Sequence, residues 1–210
     1  EAASLIAAGA LLIDYVLTVA VSIAAGVAAI TSALPTLHVS RVAMALGFVL
    51  LLSLGNLRGV RESVMLCVPV FFVFVATHAF AILYALVTHA SGFGALATAT
   101  VHEVHTVSSQ LGWFGLLAVV LKAYSMGAGT YTGIEAVSNG LPILREPKVR
   151  TGKRTMRYMS ISLAFTVMGL MIAYLLFNVP HQPGKTLNAV LFESITKTWQ
   201  APWGNVFVLV

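Results

Sequence analysis

Charge is what this sequence has least of. Only 9% of its 210 residues are charged, against roughly a quarter in soluble domains, while 59% are hydrophobic. So few ionised side chains cannot clothe a water-facing surface, which excludes an ordinary soluble domain. Cysteine is almost missing as well. Cys67 alone excludes an intrachain disulfide and any multi-cysteine metal site within the chain, and its apolar setting reads as a small buried hydrophobe. No methionine precedes Glu1, and Val206-Phe207-Val208-Leu209-Val210 lies inside a further apolar run, so a fragment of a longer protein is expected. A signal peptide cannot be sought in such a chain. Lysine and arginine are absent from His89 to Leu111, a small, polar, Thr-rich stretch that reads as a loop. The net charge of +5 does not point to nucleic acid, because the basic residues cluster in one short segment without interleaved aromatics. Positive-inside sorting accounts for the excess.

What the chain has in abundance is long apolar runs. With a mean hydropathy of +0.92 it reads as an all-α polytopic membrane protein, a single transmembrane domain over 1–210 whose main partner is the lipid bilayer. The runs cover about 5–34, 42–54, 64–87, a fourth from 112–113, and 159–177, with a sixth opening at Trp203. This predicts about five full spans and the start of another.

The first run holds an acid. On a helix, Asp14, Thr18 and Ser22 fall within an arc of roughly 80°, bordered by Tyr15, while Val16, Leu17, Ala20 and Ile23 face the other way. A carboxylate, a phenol and two hydroxyls in line read as a cation or proton path, because an intramembrane ionisable group is costly unless something compensates it. His78, in the third run after Pro69, is either packed against another helix or part of a proton relay, and packing is the ordinary outcome. His102-Glu103-Val104-His105 superficially looks like a zinc-protease signature. Its histidines stand three apart instead of four, in a stretch read as loop with no third ligand nearby, so no metal site is expected.

The fourth run is interrupted by Ser125-Met126-Gly127-Ala128-Gly129-Thr130-Tyr131-Thr132-Gly133, and a short helix resumes at Ile134-Glu135-Ala136. Each glycine costs about 1 kcal/mol relative to alanine in a helix, so the stretch predicts a broken membrane helix whose exposed backbone lines a cavity. Secondary transporters build sites in this way. A Gly129-to-Gly133 packing contact on an unbroken helix is the alternative. If the second half-helix begins near Thr132, that residue and Glu135 project to one side. Six basic residues then fall between Arg145 and Arg157 beside one acid, which places that segment in the cytoplasm. Alternation puts the 58–62 turn inside as well, and 35–41 and 89–111 outside. Beyond the fifth span, Leu187, Val190, Leu191 and Ile195 recur at helical spacing, the pattern of an amphipathic helix lying at the interface.

The Asp14-to-Ser22 helix, the Gly55-Asn56-Leu57-Arg58-Gly59 turn, the Thr132-to-Gly140 segment and Glu146-Pro147 together resemble bacterial permeases of the amino acid-polyamine-organocation superfamily, most closely its potassium-uptake branch related to KUP transporters. The resemblance covers nearly the whole chain. It implies helices three to seven, and the start of eight, of a fold with two inverted five-helix repeats. It also implies potassium ligands at Asp14, Tyr15, Thr18, Ser22 and Thr132. Glu135 matches an acid beside the site, either a proton-coupling group or a structural partner. The expected function is proton-coupled potassium uptake at the plasma membrane, with an amino-acid permease second and a membrane-embedded enzyme a distant third. No enzyme chemistry is expected, because the spans hold no nucleophile-base pair. No cofactor is expected beyond the transported potassium ion and proton, and a homodimer is left open.

Overall fold

The computed structural model describes residues 2–127, 129, 134–199 and 203–209. Among these the regular structure is helical: α1 (Ala2–Ala33), α2 (Arg41–Arg58), α3 (Val60–Thr88), α4 (Phe93–Gly127), α5 (Ile134–Asn139), α6 (Lys148–Leu176), α7 (Leu187–Thr196) and α8 (Trp203–Leu209), with 3-10 turns at Pro35–Ser40, Ala90–Gly92 and Leu141–Ile143. Among the described residues, five stretches are long and apolar enough to cross a membrane: Ala2–Ala33, Pro35–Leu57, Cys67–Thr88, Ala90–Gly127 and Lys148–Leu176. Large apolar side chains such as Leu5, Leu12, Val16, Leu50 and Phe72 point outward. In hydrocarbon there is no penalty for this, since lipid tails are as apolar as leucine, and the chain is a polytopic membrane protein.

The chain forms two compact units, Glu1–Ala85 with Phe177–Val210, and Leu86–Leu176. In the first, Gly59 is the one residue separating α2 from α3, with φ 141° and ψ 141°, a conformation closed to side-chain-bearing residues. The predicted polar turn at 55–63 is therefore mostly helix. Pro69 is accommodated inside α3. The core of this unit gathers where the C-terminal ends of α1 and α3 meet α7: Val27, Thr31, Ser32, His78, Ala81, Ile82 and Ala85 are buried together with Val190, Leu191, Phe192 and Ile195. Helix α7 packs Val190, Leu191 and Ile195 of its apolar stripe against neighbouring helices, while Leu187 at its start stays exposed. Its first turn is capped by Thr186, whose side chain accepts from the Ala189 amide at 3.3 Å. Helix α8 approaches it closely at Gly204, where a Cβ would stand 3.3 Å from the Cβ and the carbonyl of Thr196. Cys67, expected to be buried, is exposed on α3.

In the second unit, 93–111 is helix and not loop. The hydroxyls of Thr98, Thr100 and Thr106 each donate to the carbonyl one turn earlier at 2.9 Å, and Ser108 and Ser109 do the same three residues back. The polar groups that suggested a loop are satisfied by the helix itself. Gly112 breaks the run with φ 69° and ψ 174°, so α4 is two helical segments joined at a glycine kink. The basic segment is likewise not a loop beyond Pro147. Helix α6 starts at Lys148, its backbone N–H donating to the Glu146 carboxylate at 3.1 Å, and carries Arg150, Lys153, Arg154 and Arg157 on its first three turns.

Candidate functional site

Helix α1 carries the oxygen stripe because nothing in its 32 residues breaks a helix, and Asp14 is its one charged side chain. Successive members Asp14, Thr18 and Ser22 are one turn apart, about 6 Å along the axis. Asp14 and Ser22 are exposed, and Tyr15 and Thr18 are half-buried. The stripe thus lies on one continuous helix, on a surface of the first unit that the described residues leave largely uncovered. Its chemistry is that of a hard-oxygen ligand set, one full negative charge beside three neutral dipoles.

The other two predicted residues belong to the second unit. Thr132 lies outside the described residues. Glu135 is on the backbone of α5, and its side chain is also outside them. Helix α4 ends at Gly127 and α5 begins at Ile134, while the glycine-rich stretch between them is undescribed apart from Gly129. His102, Glu103 and His105 stand on the first segment of α4, with the histidines three apart on a helix. Among the described residues no group of three or more His, Cys, Asp or Glu converges on a metal-sized site.

The far end of α1 holds a feature that sequence reasoning missed. Ser32, only 2% exposed, donates to the Ala28 carbonyl at 2.6 Å and accepts from the Thr186 backbone N–H at 2.9 Å. Beside it Thr31 accepts from Arg41 Nε at 3.2 Å, tying the start of α2 to the same point. Next to this knot lies His78. Its Nδ1 stands 2.9 Å from the Phe74 carbonyl, to which it donates in the tautomer that leaves Nε2 to accept from Asn188 at 3.4 Å. The ring lies 3.9 Å from that of Phe74 and 5.2 Å from that of Phe192. His78 is therefore packed between helices, satisfied on both nitrogens, and of the two roles open to it from sequence the structure supports packing. Lys185 and Glu193 add an ion pair along α7, with Nζ to Oε distances of 2.5 and 2.7 Å. Being partly exposed, it adds little stability. A contact between residues 154 apart, such as Ser32 with Thr186, leaves no local pattern, although a lone small polar pair at the end of an apolar run was a signal available to notice.

No protein-family model matches the chain. Over 190 residues it is 39% identical to the potassium transporter KimA of Bacillus subtilis (strain 168), a match covering 89% of this chain. The chain spans 30% of that relative's length. This chain is a homologue of a segment of a potassium transporter.

Proposed function

We propose that the chain is part of a secondary active transporter that takes up potassium in symport with protons across the plasma membrane. The observation that carries this is the 39% identity to a potassium transporter over 89% of the chain. The α1 stripe supports it chemically. A bare monovalent cation wants several hard oxygens, and Asp14, Tyr15, Thr18 and Ser22 supply a carboxylate, a phenol and two hydroxyls at helical spacing. On the resemblance to permeases stated above, Thr132 is proposed as a further potassium ligand and Glu135 as the proton-coupling group. The fold in this reading is the two-repeat fold of the amino acid-polyamine-organocation superfamily, of which this segment is helices three to seven and the start of eight. The chain carries no enzymatic activity and no cofactor of its own.

Orientation follows the charge. The basic first turns of α6 and the Gly59 corner face the cytoplasm, and the ends gathered around α7 face outward. Within the first unit this is self-consistent: the end of α1 packs on α7, Arg41 at the start of α2 bonds Thr31 of α1, His78 of α3 packs on Phe192 of α7, and Gly59 lies at the opposite end of α2.

The test is uptake by the full-length protein in proteoliposomes. An imposed inward proton gradient should drive potassium accumulation, and Glu135→Gln should abolish gradient-driven accumulation while leaving potassium binding measurable, because the amide keeps the shape and loses the titration. Accumulation of an amino acid with no potassium dependence would overturn the cargo, and undiminished concentration by Glu135→Gln would reduce that residue to a structural partner.

A further inference from the structure

The first three turns of α6 are amphipathic in an unusual sense, basic on one side and packed on the other. Taking Arg157 as the reference direction, Arg150, Lys153 and Arg154 fall within about 60° of it, while Gly152, Gly169 and Ala173 lie on the opposite half of the helix. Those three are buried, and Gly152 is pressed so closely by Leu141 and Leu144 that a Cβ there would stand 3.0 Å and 3.4 Å from their side chains. The packed face is thus fixed, and the basic face is turned away from it. Arg150, Lys153, Arg154 and Arg157 are all exposed, and among the described residues none has a carboxylate within salt-bridge distance. Arg154 is held in place by its neighbour: Nε donates to the Tyr158 hydroxyl at 2.8 Å, with the guanidinium 5.2 Å from the ring centroid. That arrangement uses one of five donors and leaves four for a ligand.

The same face continues into the membrane as hydrocarbon. Ile161, Phe165 and Met168 lie within about 80° of the Arg157 direction, and they are 62%, 49% and 63% exposed. From Arg157 to Met168 is about 16 Å of helix, close to the depth of one bilayer leaflet. A cationic fork at the headgroup level above a leaflet-deep apolar strip matches one molecule in both charge and length.

We propose that this face of α6 binds an anionic phospholipid. The phosphate is clamped by Arg154 and Arg157, which are one turn apart, with Arg150 one turn further out, and one acyl chain lies along Ile161, Phe165 and Met168. Arginine suits this role because its planar fork grips phosphate oxygens in pairs. The site is independent of the cargo and of which leaflet the start of α6 occupies.

The test is native mass spectrometry of the full-length protein released from an equimolar mixture of phosphatidylglycerol and phosphatidylethanolamine. The parent should retain phosphatidylglycerol preferentially, and R154Q/R157Q should lose about thirtyfold in its apparent affinity, at about one kilocalorie per basic residue near the surface. R154K/R157K, which keeps the charge and loses the paired grip, should fall between the parent and R154Q/R157Q, and M168Q should weaken binding through the acyl strip alone. K197Q, an exposed lysine in the other unit, should change nothing. Equal retention of the two lipids, unchanged retention by R154Q/R157Q, or an equal loss in K197Q would each overturn the site. Displacement by millimolar inorganic phosphate would overturn it as well, by showing a phosphate site that needs no lipid.

Discussion

Replacing Asp14 with Asn removes the only formal charge on α1 while keeping side-chain size and one carbonyl oxygen. At an effective dielectric of about 20, a carboxylate about 4 Å from a monovalent cation contributes on the order of 4 kcal/mol before desolvation is set against it. Desolvation of the carboxylate and of the ion offsets most of this, and about a third of the figure is taken as what remains. A third is about 1.4 kcal/mol, or tenfold in affinity. Thr18→Val and Ser22→Ala each remove one neutral dipole and leave the other oxygens in place, so each should cost only a few-fold. The assay is calorimetric titration of potassium into the full-length protein in detergent, comparing the three variants with the parent. An order with Asp14→Asn weakest by a wide margin is expected. Binding by Asp14→Asn indistinguishable from the parent, or a larger loss in either hydroxyl variant, would refute the stripe as the cation site.

Two further outcomes test the framework around it. In a Cys67→Ala background, a cysteine at His181, exposed before α7, should react with an impermeant label added outside intact cells and one at Lys153 should be protected, and the reverse pattern would invert the orientation. Leu191→Ala, at a position with no exposed surface at the centre of α7, should cost about 2–5 kcal/mol and lower the midpoint of thermal unfolding in detergent, whereas Leu50→Ala on the outward face of α2 should barely move it.

The spans were legible because hydrocarbon imposes a long, uniform composition, and α1, α3 and the apolar part of α6 lie where the runs are. Their ends were less legible. Hydropathy registers where a helix leaves the membrane and not where it stops being a helix, so the polar extension of α6 through Arg150 to Arg157 and the turns around Arg41 were read as loop. The 93–111 segment was misread for a related reason. Its threonines and serines look loop-forming, yet from Ala95 to Leu111 there is no glycine or proline, and hydroxyls that donate to their own helix's carbonyls need no solvent. The glycines after Ser125 that predicted a break lie mostly outside the described residues, with α4 ending at Gly127 and α5 beginning at Ile134, while the further kink at Gly112 is a single residue whose positive φ no composition count reveals. At the candidate site, Asp14, Tyr15, Thr18 and Ser22 were readable because a single helix holds them and periodicity alone determines their common face. The knot of Ser32, Thr186, His78 and Asn188 joins segments far apart in sequence, and no periodicity encodes it.

That knot makes α1 a lever. Its stripe and its anchor are on the same rigid rod, with Asp14 about 27 Å from Ser32. The anchored end is held by a serine that both donates and accepts, and the other end is largely bare among the described residues. A rod fixed at one end moves most at the other. A swing of about 5° about Ser32 carries the Asp14 carboxylate sideways by about 2 Å, enough to take it out of direct contact with an ion, while the Ser32 to Thr186 bond at the fulcrum hardly changes length. If the proposed cation rests on this stripe, its release needs no unwinding of α1 and no loss of its packing against α7.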